Sequence, residues 1–397
     1  MRCHWLFLGA VLLLGAIDVT SSYNVWKLAR ANGNFAFRLY REVIQGAAGE
    51  NVFFSPFSIS TALSMTYAGA RGETACEMCQ VLGFCRFCRG RFKVHAIFKA
   101  TLGSLNSPQA RYKLALANGV FVNTRFSMFP TFTQLLASYY SAGFKSLEFD
   151  NDAQRSADYI NQWVEQRTNN KIKKLVTAAV VRYCPLVLVN AIYFKGDWTR
   201  RFKEAVSTPF HVSSTNTISV KMMSQTARFG YAVNRRLRCK ILELPYDGHR
   251  VSMYILLPMA TEGLASLESK LTFSAVTSAL AKLRRRRLSV GIPKFEIDKK
   301  INVIPILRSM GIKLAFNIAA DFGRINSRRP LFVKDVIHKA FINVNETGTE
   351  AAAATAVIFW DSVPMPVRAQ FLADHPFLFL IRDRKTGSIL FLGRYVK

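Results

Sequence analysis

The run Leu186-Val187-Leu188-Val189-Asn190-Ala191-Ile192-Tyr193-Phe194 is almost wholly apolar. A strand alternates its side chains between two faces, so it reads this way only when both faces are covered. The run predicts a central strand with packed layers on either side. Asn190 stands in its middle. A buried amide costs free energy unless its hydrogen bonds are met. Asn190 therefore predicts an internal polar network.

Further strands are expected at Val251 to Leu257, Leu288 to Ile297, Phe377 to Ile381 and Ile389 to Val396. Helical spacing appears between Asn34 and Ile44, where Ala36, Leu39, Tyr40 and Val43 share a face. Ser55-Pro56 reads as a helix start, with Ser55 as cap and Pro56 in the first turn. Ala153, Ala157, Ile160, Trp163 and Val164 mark another helix. Helices and strands mix without βαβ alternation, which predicts an α+β fold. There are 397 residues, 50% of them hydrophobic and 31 of them Phe, enough for a large core. Neither a repeat nor a long linker divides the chain, so one domain is expected at 23–397.

Residues 1–22 read as a secretory leader. Arg2 and His4 precede an apolar run from Leu6 to Ile17 that is too short to span a bilayer, and small residues follow at Ser21 and Ser22. The alternative is a buried N-terminal helix. The mature chain is expected to be secreted, extracellular and monomeric, with no membrane partner. Net charge is +29, and removing Arg2 and Asp18 leaves it unchanged. Such an excess calls for an acidic partner, which outside the cell points to heparin or another glycosaminoglycan rather than nucleic acid. Basic clusters lie at Arg86, Arg89, Arg91 and Lys93, at Arg284, Arg285, Arg286 and Arg287, and at Arg235, Arg236 and Arg238. Arg86, Arg89 and Lys93 would share one face of a helix. Any single cluster can also be no more than a solvated surface.

Beyond Cys3, six cysteines remain: Cys76, Cys79, Cys85, Cys88, Cys184 and Cys239. An even count in a secreted chain predicts disulfides, whose pairing stays open among fifteen arrangements. Cys76-x-x-Cys79 and Cys85-x-x-Cys88 look like zinc knuckles, but the gap between them is short for zinc. Unpaired thiols are the other alternative. No metal or cofactor is expected.

The segment from Glu346 to about Gln370 breaks the pattern. It has no amphipathic period, and loops of this length in compact domains are usually functional. Its first part, Thr349-Glu350-Ala351-Ala352-Ala353-Ala354-Thr355-Ala356, is small and almost uncharged. A short Ala-rich helix is one reading. A mobile loop slim enough to slide between two strands is the other.

Five segments resemble the serpin family and occur in its order. Phe54-Ser55-Pro56-Phe57-Ser58-Ile59-Ser60 looks like the shutter helix motif, and Leu188 to Trp198 is similar to the central sheet signature. His338-Lys339-Ala340-Phe341 and Asn345 to Ala351 resemble the strand and hinge before the reactive loop. Asp374-His375-Pro376-Phe377-Leu378-Phe379 with Phe391-Leu392-Gly393-Arg394 match the C-terminal signature. The overall likeness is to secreted arthropod, tick-like members.

The resemblance implies three β-sheets, eight or nine helices and an exposed reactive-centre loop at about 346–370. It implies a shutter of Ser55, Ser58, Asn190 and His338. It also implies a breach where Trp198 tops the sheet and Lys294 pairs with Glu346. The hinge would be Glu346, Gly348, Thr349 and Ala351 to Ala354, with Gly348 present for its backbone freedom. The chain would then inhibit an extracellular serine protease by covalent trapping and would not itself be an enzyme. Family spacing puts the scissile bond at Ser362–Val363, which suits a small S1 pocket of the elastase type. Shifted frames would use Phe359, Trp360, Met365 or Arg368, and Asp361 adjoins the bond.

One position departs from the family. Thr347 replaces the usual acidic residue and makes Asn345-Glu346-Thr347 an N-glycosylation acceptor pattern. An enzyme reading finds no Gly-x-Ser-x-Gly elbow, His-Glu-x-x-His or phosphate loop. The rival is a non-inhibitory serpin acting as a carrier or glycosaminoglycan-binding protein.

Overall fold

The computed structural model describes residues 5–85, 91–327, 330–349 and 369–397, with 5–24 and 91–92 described by backbone alone. Among them are ten α-helices, one of which is the single turn Ala178–Val181, and a 3-10 turn at Leu314–Phe316. The expected 34–44 helix lies in the helix Trp5–Gln45, and the 153–164 pattern forms the helix Ala153–Arg167. No helix among the described residues is long and apolar enough to cross a membrane.

A six-stranded sheet runs in the order Phe295–Asn302, Val333–Val344, Gly348–Thr349, Leu186–Asp197, Tyr112–Asn123, Gly143–Leu147. Leu186–Asp197 is the central strand the apolar run predicts. Leu186, Leu188, Ile192 and Phe194 pack into the main core, while Val187, Val189 and Ala191 join a second core beneath the helix Ala153–Arg167. The alternation of a strand between two faces explains how one continuous apolar run serves both cores.

The nine-stranded sheet contains Val206–His211 and, in order, Val52–Phe54, Ile389–Tyr395, Phe377–Asp383, Val251–Pro258, Cys239–Pro245, Thr217–Asn234, Arg284–Pro293 and Gln370–Leu372. The strand Thr217–Asn234 joins its two halves. Its residues 230–234 pair with Cys239–Pro245, and its residues 222–231 pair with Arg284–Pro293. What the family description divides into a second and a third sheet is thus one hydrogen-bonded network through a shared strand.

The helix Pro56–Gly69 is buried along its whole length against the main core. Ser55 caps it by accepting from the Ser58 N–H at 3.1 Å, and Pro56 occupies its first turn, where a missing N–H costs nothing. This buried start lies directly under the Asn190 rung.

Candidate functional site

The ladder sets Asn118 opposite Asn190 and Asn190 opposite His338, so three adjacent strands carry one polar rung. All three side chains are buried. His338 Nε2 accepts from the Ser55 N–H at 3.0 Å, so the ring carries its proton on Nδ1, which donates to Asn190 Oδ1. The Asn190 amide donates to the Ser58 carbonyl at 3.0 Å, to Ser58 Oγ at 2.5 Å and to Asn118 Oδ1. Ser55 Oγ donates onward to the Leu390 carbonyl at 2.6 Å. Complete burial pushes the His338 pKa down to about 3, because an imidazolium there would lose its hydration. The rung is therefore neutral and bridges the six-stranded sheet, the buried helix and the nine-stranded sheet. Ser55, Ser58, Asn190 and His338 are brought together. Asn118 is the member that sequence reasoning missed. Its signal was a polar side chain within the strand Tyr112–Asn123, but only the register places it against Asn190.

At the top of the same sheet the geometry changes. Val333–Val344 and Leu186–Asp197 pair directly from Val333↔Leu186 to Phe341↔Tyr193. Above this the chain turns back. Gly348 and Thr349 pair with Asp197 and Gly196 on one side, and Thr349 pairs with Val344 on the other. A two-residue strand is already seated between the two longer ones. A Cβ on Gly348 would lie 2.2 Å from the Gly196 carbonyl oxygen, so glycine is required for close backbone approach. Gly348 is not among the residues with positive φ, so the expected backbone freedom is not the reason for it.

Thr349 is fully buried, and its hydroxyl lies 2.6 Å from that of Tyr246. Tyr246 stacks on Trp198 with centroids 4.5 Å apart, and burial pushes its hydroxyl pKa well up. Tyr246 is the second residue that sequence reasoning missed, since nothing local ties it to the hinge. Trp198 holds the turn by two bonds, Nε1 to the Asn345 carbonyl at 2.9 Å and its own N–H to the Thr347 carbonyl at 2.9 Å. Lys294 Nζ lies 3.2 Å from Glu346 Oε2, with the lysine side chain about half exposed.

The Asn345 side chain bonds through both its oxygen and its nitrogen. Its Oδ1 accepts from Thr347 N–H at 3.0 Å, Thr347 Oγ1 at 2.8 Å and Gly348 N–H at 3.2 Å, and its Nδ2 donates to Asn343 Oδ1 at 3.1 Å. The unusual Thr347 thus supplies a hydroxyl that ties the hinge turn together.

The family model for "Serpin (serine protease inhibitor)" matches residues 30–397. The chain is a serpin. It is 36% identical to Iripin-8 of Ixodes ricinus, covering 99% of this chain and 98% of that one. It is 37% identical to the human leukocyte elastase inhibitor, covering 93% and 99%. Human thyroxine-binding globulin, solved in complex with thyroxine, superposes with a TM-score of 0.86 at 29% identity, over 94% of this chain and 99% of that one. The family and the inhibitor relatives place the chain among protease inhibitors rather than enzymes, within a fold that thyroxine-binding globulin shares.

Several expected positions lie outside the described residues of this serpin: Ser362, Val363, Phe359, Trp360, Met365, Arg368, Asp361, Ala351 to Ala354, Arg86, Arg89 and Cys88, and also the side chain of Arg91. Within the first basic cluster the helix Arg91–Leu105 is described, and Lys93 is exposed on it. Arg284 to Arg287 are exposed on the strand Arg284–Pro293.

The expected disulfide chemistry is met in part. Cys79 and Cys85 form a disulfide, but Cys184 and Cys239 are free and fully buried. They belong to different cores, Cys184 to the one under the helix Ala153–Arg167 and Cys239 to the main one. Burial pushes both thiols up to about 12. Each behaves as a small apolar core residue. Cys76 is also free, and among the described residues no group of three His, Cys, Asp or Glu side chains is placed to hold a metal.

Proposed function

We propose that this serpin is a secreted suicide-substrate inhibitor of serine proteases, cut at Ser362–Val363 and acting through insertion of its cleaved loop. The observation that carries the reading is the seated pair Gly348–Thr349. The hinge already bonds to both neighbouring strands at the top, while the rest of the gap is closed by direct pairing of Val333–Phe341 with Leu186–Tyr193. Further entry would extend a strand that has begun.

The chemistry follows from the protease. Its serine attacks the Ser362 carbonyl and forms a tetrahedral oxyanion. Collapse expels the Val363 amine and leaves an acyl-enzyme ester on Ser362. The freed side, led by Thr349 and the alanines, then adds strand by strand pairing to Leu186–Asp197 and Val333–Val344. Those two must part, so the Asn118–Asn190–His338 rung is the closure to be opened and remade. Inhibition is a race between insertion and deacylation, and small side chains favour insertion because little must be forced between the strands. Ser362 at the scissile position selects a protease with a small S1 pocket, as in elastase.

The test is incubation with trypsin, chymotrypsin, elastase and cathepsin G, followed by denaturing electrophoresis. A covalent band at the summed mass less the fragment 363–397 is expected with elastase, together with that released fragment beginning at Val363. Loop cleavage by every active protease with no such band would overturn the reading. That outcome would favour the non-inhibitory carrier or binding reading, which the likeness to thyroxine-binding globulin supports.

A further inference from the structure

A cavity of about 880 Å³ lies between the helices Pro56–Gly69, Arg91–Leu105 and Pro130–Tyr140 and the turn at 321–324. The volume falls in the range of small-molecule sites, about 300 to 1,000 Å³. One helix face supplies much of its wall. Phe132, Leu135 and Tyr139 follow at i, i+3 and i+7 on Pro130–Tyr140, and Phe129 precedes them. Phe132 is buried and Phe129 is 37% exposed, so the apolar wall runs from the interior out to solvent. His95 lines the cavity from the helix Arg91–Leu105. Its Nδ1 lies 2.5 Å from the Tyr140 hydroxyl, which lies 2.6 Å from Ser64 Oγ on the buried helix. This part of the wall is held in place by the protein's own bonds.

The polar end is cationic. Arg71 and Arg324 line the cavity where two stretches of chain are tied together. The Arg71 N–H donates to the Asp321 carbonyl at 2.8 Å, and the Arg324 N–H to the Gly69 carbonyl at 3.2 Å. Both side chains are exposed, and among the described residues neither guanidinium has an ion pair or a hydrogen bond. Asp321 is the acid at this corner, and its Oδ1 accepts from the Gly323 N–H at 3.0 Å. None of the described residues that line the cavity is acidic. Lys99 adds positive charge nearby, with Nζ 5.7 Å from the centre of the Tyr139 ring.

We propose that this cavity binds a fatty acid, with the carboxylate held by Arg71 and Arg324 and the chain laid along Phe129, Phe132 and Leu135. A guanidinium fork donates to both oxygens of a carboxylate at once. Covering an apolar wall is favourable in proportion to the area removed from water. A purely ionic ligand would leave the aromatic wall uncovered, and a neutral one would leave both guanidiniums unmatched. The cavity shares no residue with the hinge or the rung, and the inference does not rest on the inhibitory reading.

The experiment is isothermal titration of the full chain at neutral pH with decanoate, kept below micelle formation, and with decanol as its uncharged counterpart. Saturable binding of about one decanoate per chain is expected, at least about tenfold tighter than decanol. The variant Arg71→Ser/Arg324→Ser should weaken decanoate at least about tenfold and leave decanol unchanged. Phe129→Ser should weaken both ligands several-fold, because it removes part of the apolar wall. Arg71, Arg324 and Phe129 all reach solvent, so both variants should melt at the temperature of the parent, which separates loss of the site from loss of the fold. Decanoate should raise the melting temperature of the parent and not that of the arginine variant. Uptake of decanoate without saturation, equal affinity for decanol, or undiminished decanoate binding by either variant overturns the proposal.

Discussion

At the rung of Asn118, Asn190 and His338, the strands Leu186–Asp197 and Val333–Val344 pair directly, and every polar atom of the three side chains sits in the interior. At the top of the same two strands a third chain segment lies between them, and its contacts mix a buried hydroxyl pair with a half-exposed ion pair. The first arrangement is closed by groups that have no water to fall back on. The second is held partly by groups that do. The contrast teaches that the same two strands are closed by buried groups along most of their length and held by partly exposed ones at one end. An unmet buried hydrogen bond costs about 1–3 kcal/mol, whereas an exposed ion pair contributes about 0–1 kcal/mol.

Thr349→Arg strikes this contrast hardest. It would force a guanidinium into the space where Thr349 meets Tyr246, and an unpaired buried charge costs several kcal/mol. Covalent complex yield with the target protease should fall at least about tenfold, with cleaved protein appearing instead. Undiminished complex formation would show that hinge seating and insertion are unrelated.

Asn190→Ala should be next. It strips partners from His338 Nδ1, Asn118 Oδ1 and Ser58. Urea unfolding should show a loss of roughly 2–4 kcal/mol. A loss below about 1 kcal/mol would mean that water replaces the network and the rung does not close the sheet.

Acid tests the same rung without mutation. The His338 pKa is about 3 in the folded chain against 6.5 for the free side chain, so the unfolded state takes up the proton first as pH falls. Its contribution is fully present above pH 6.5 and is lost progressively towards pH 3. The slope is about 1.4 kcal/mol per pH unit, or about 2 kcal/mol between pH 6.5 and 5. His338→Gln, compared by thermal unfolding at pH 7 and 5, should lose this part of the acid sensitivity. An unchanged pH profile would place the sensitivity elsewhere.

The smallest effect belongs to Lys294→Ala. With the lysine half exposed, loss of its pair with Glu346 should change the unfolding free energy by no more than about 1 kcal/mol. A larger loss would make the top of the sheet as tightly closed as the rung.

Much of this was legible in local pattern. The central strand showed itself because both of its faces are apolar, and Ser55-Pro56 because caps and first turns have their own chemistry. Asn190 announced a network because a polar group inside an apolar strand must be satisfied. Its partners were another matter: His338 and the two serines came from family likeness, and Asn118 came from neither. The helical face expected of Arg86, Arg89 and Lys93 falls largely outside the described residues.

By itself, then, the amino-acid sequence determined which segments become strands and helices, and that Asn190 needed partners. The tertiary structure decided which residues meet. It set Asn118 against Asn190 and Tyr246 against Thr349, and it placed Cys184 and Cys239 in separate cores. The physical reason is range: periodicity and capping are read within a few residues, whereas register and core membership arise between residues far apart in the chain, and only folding brings those together.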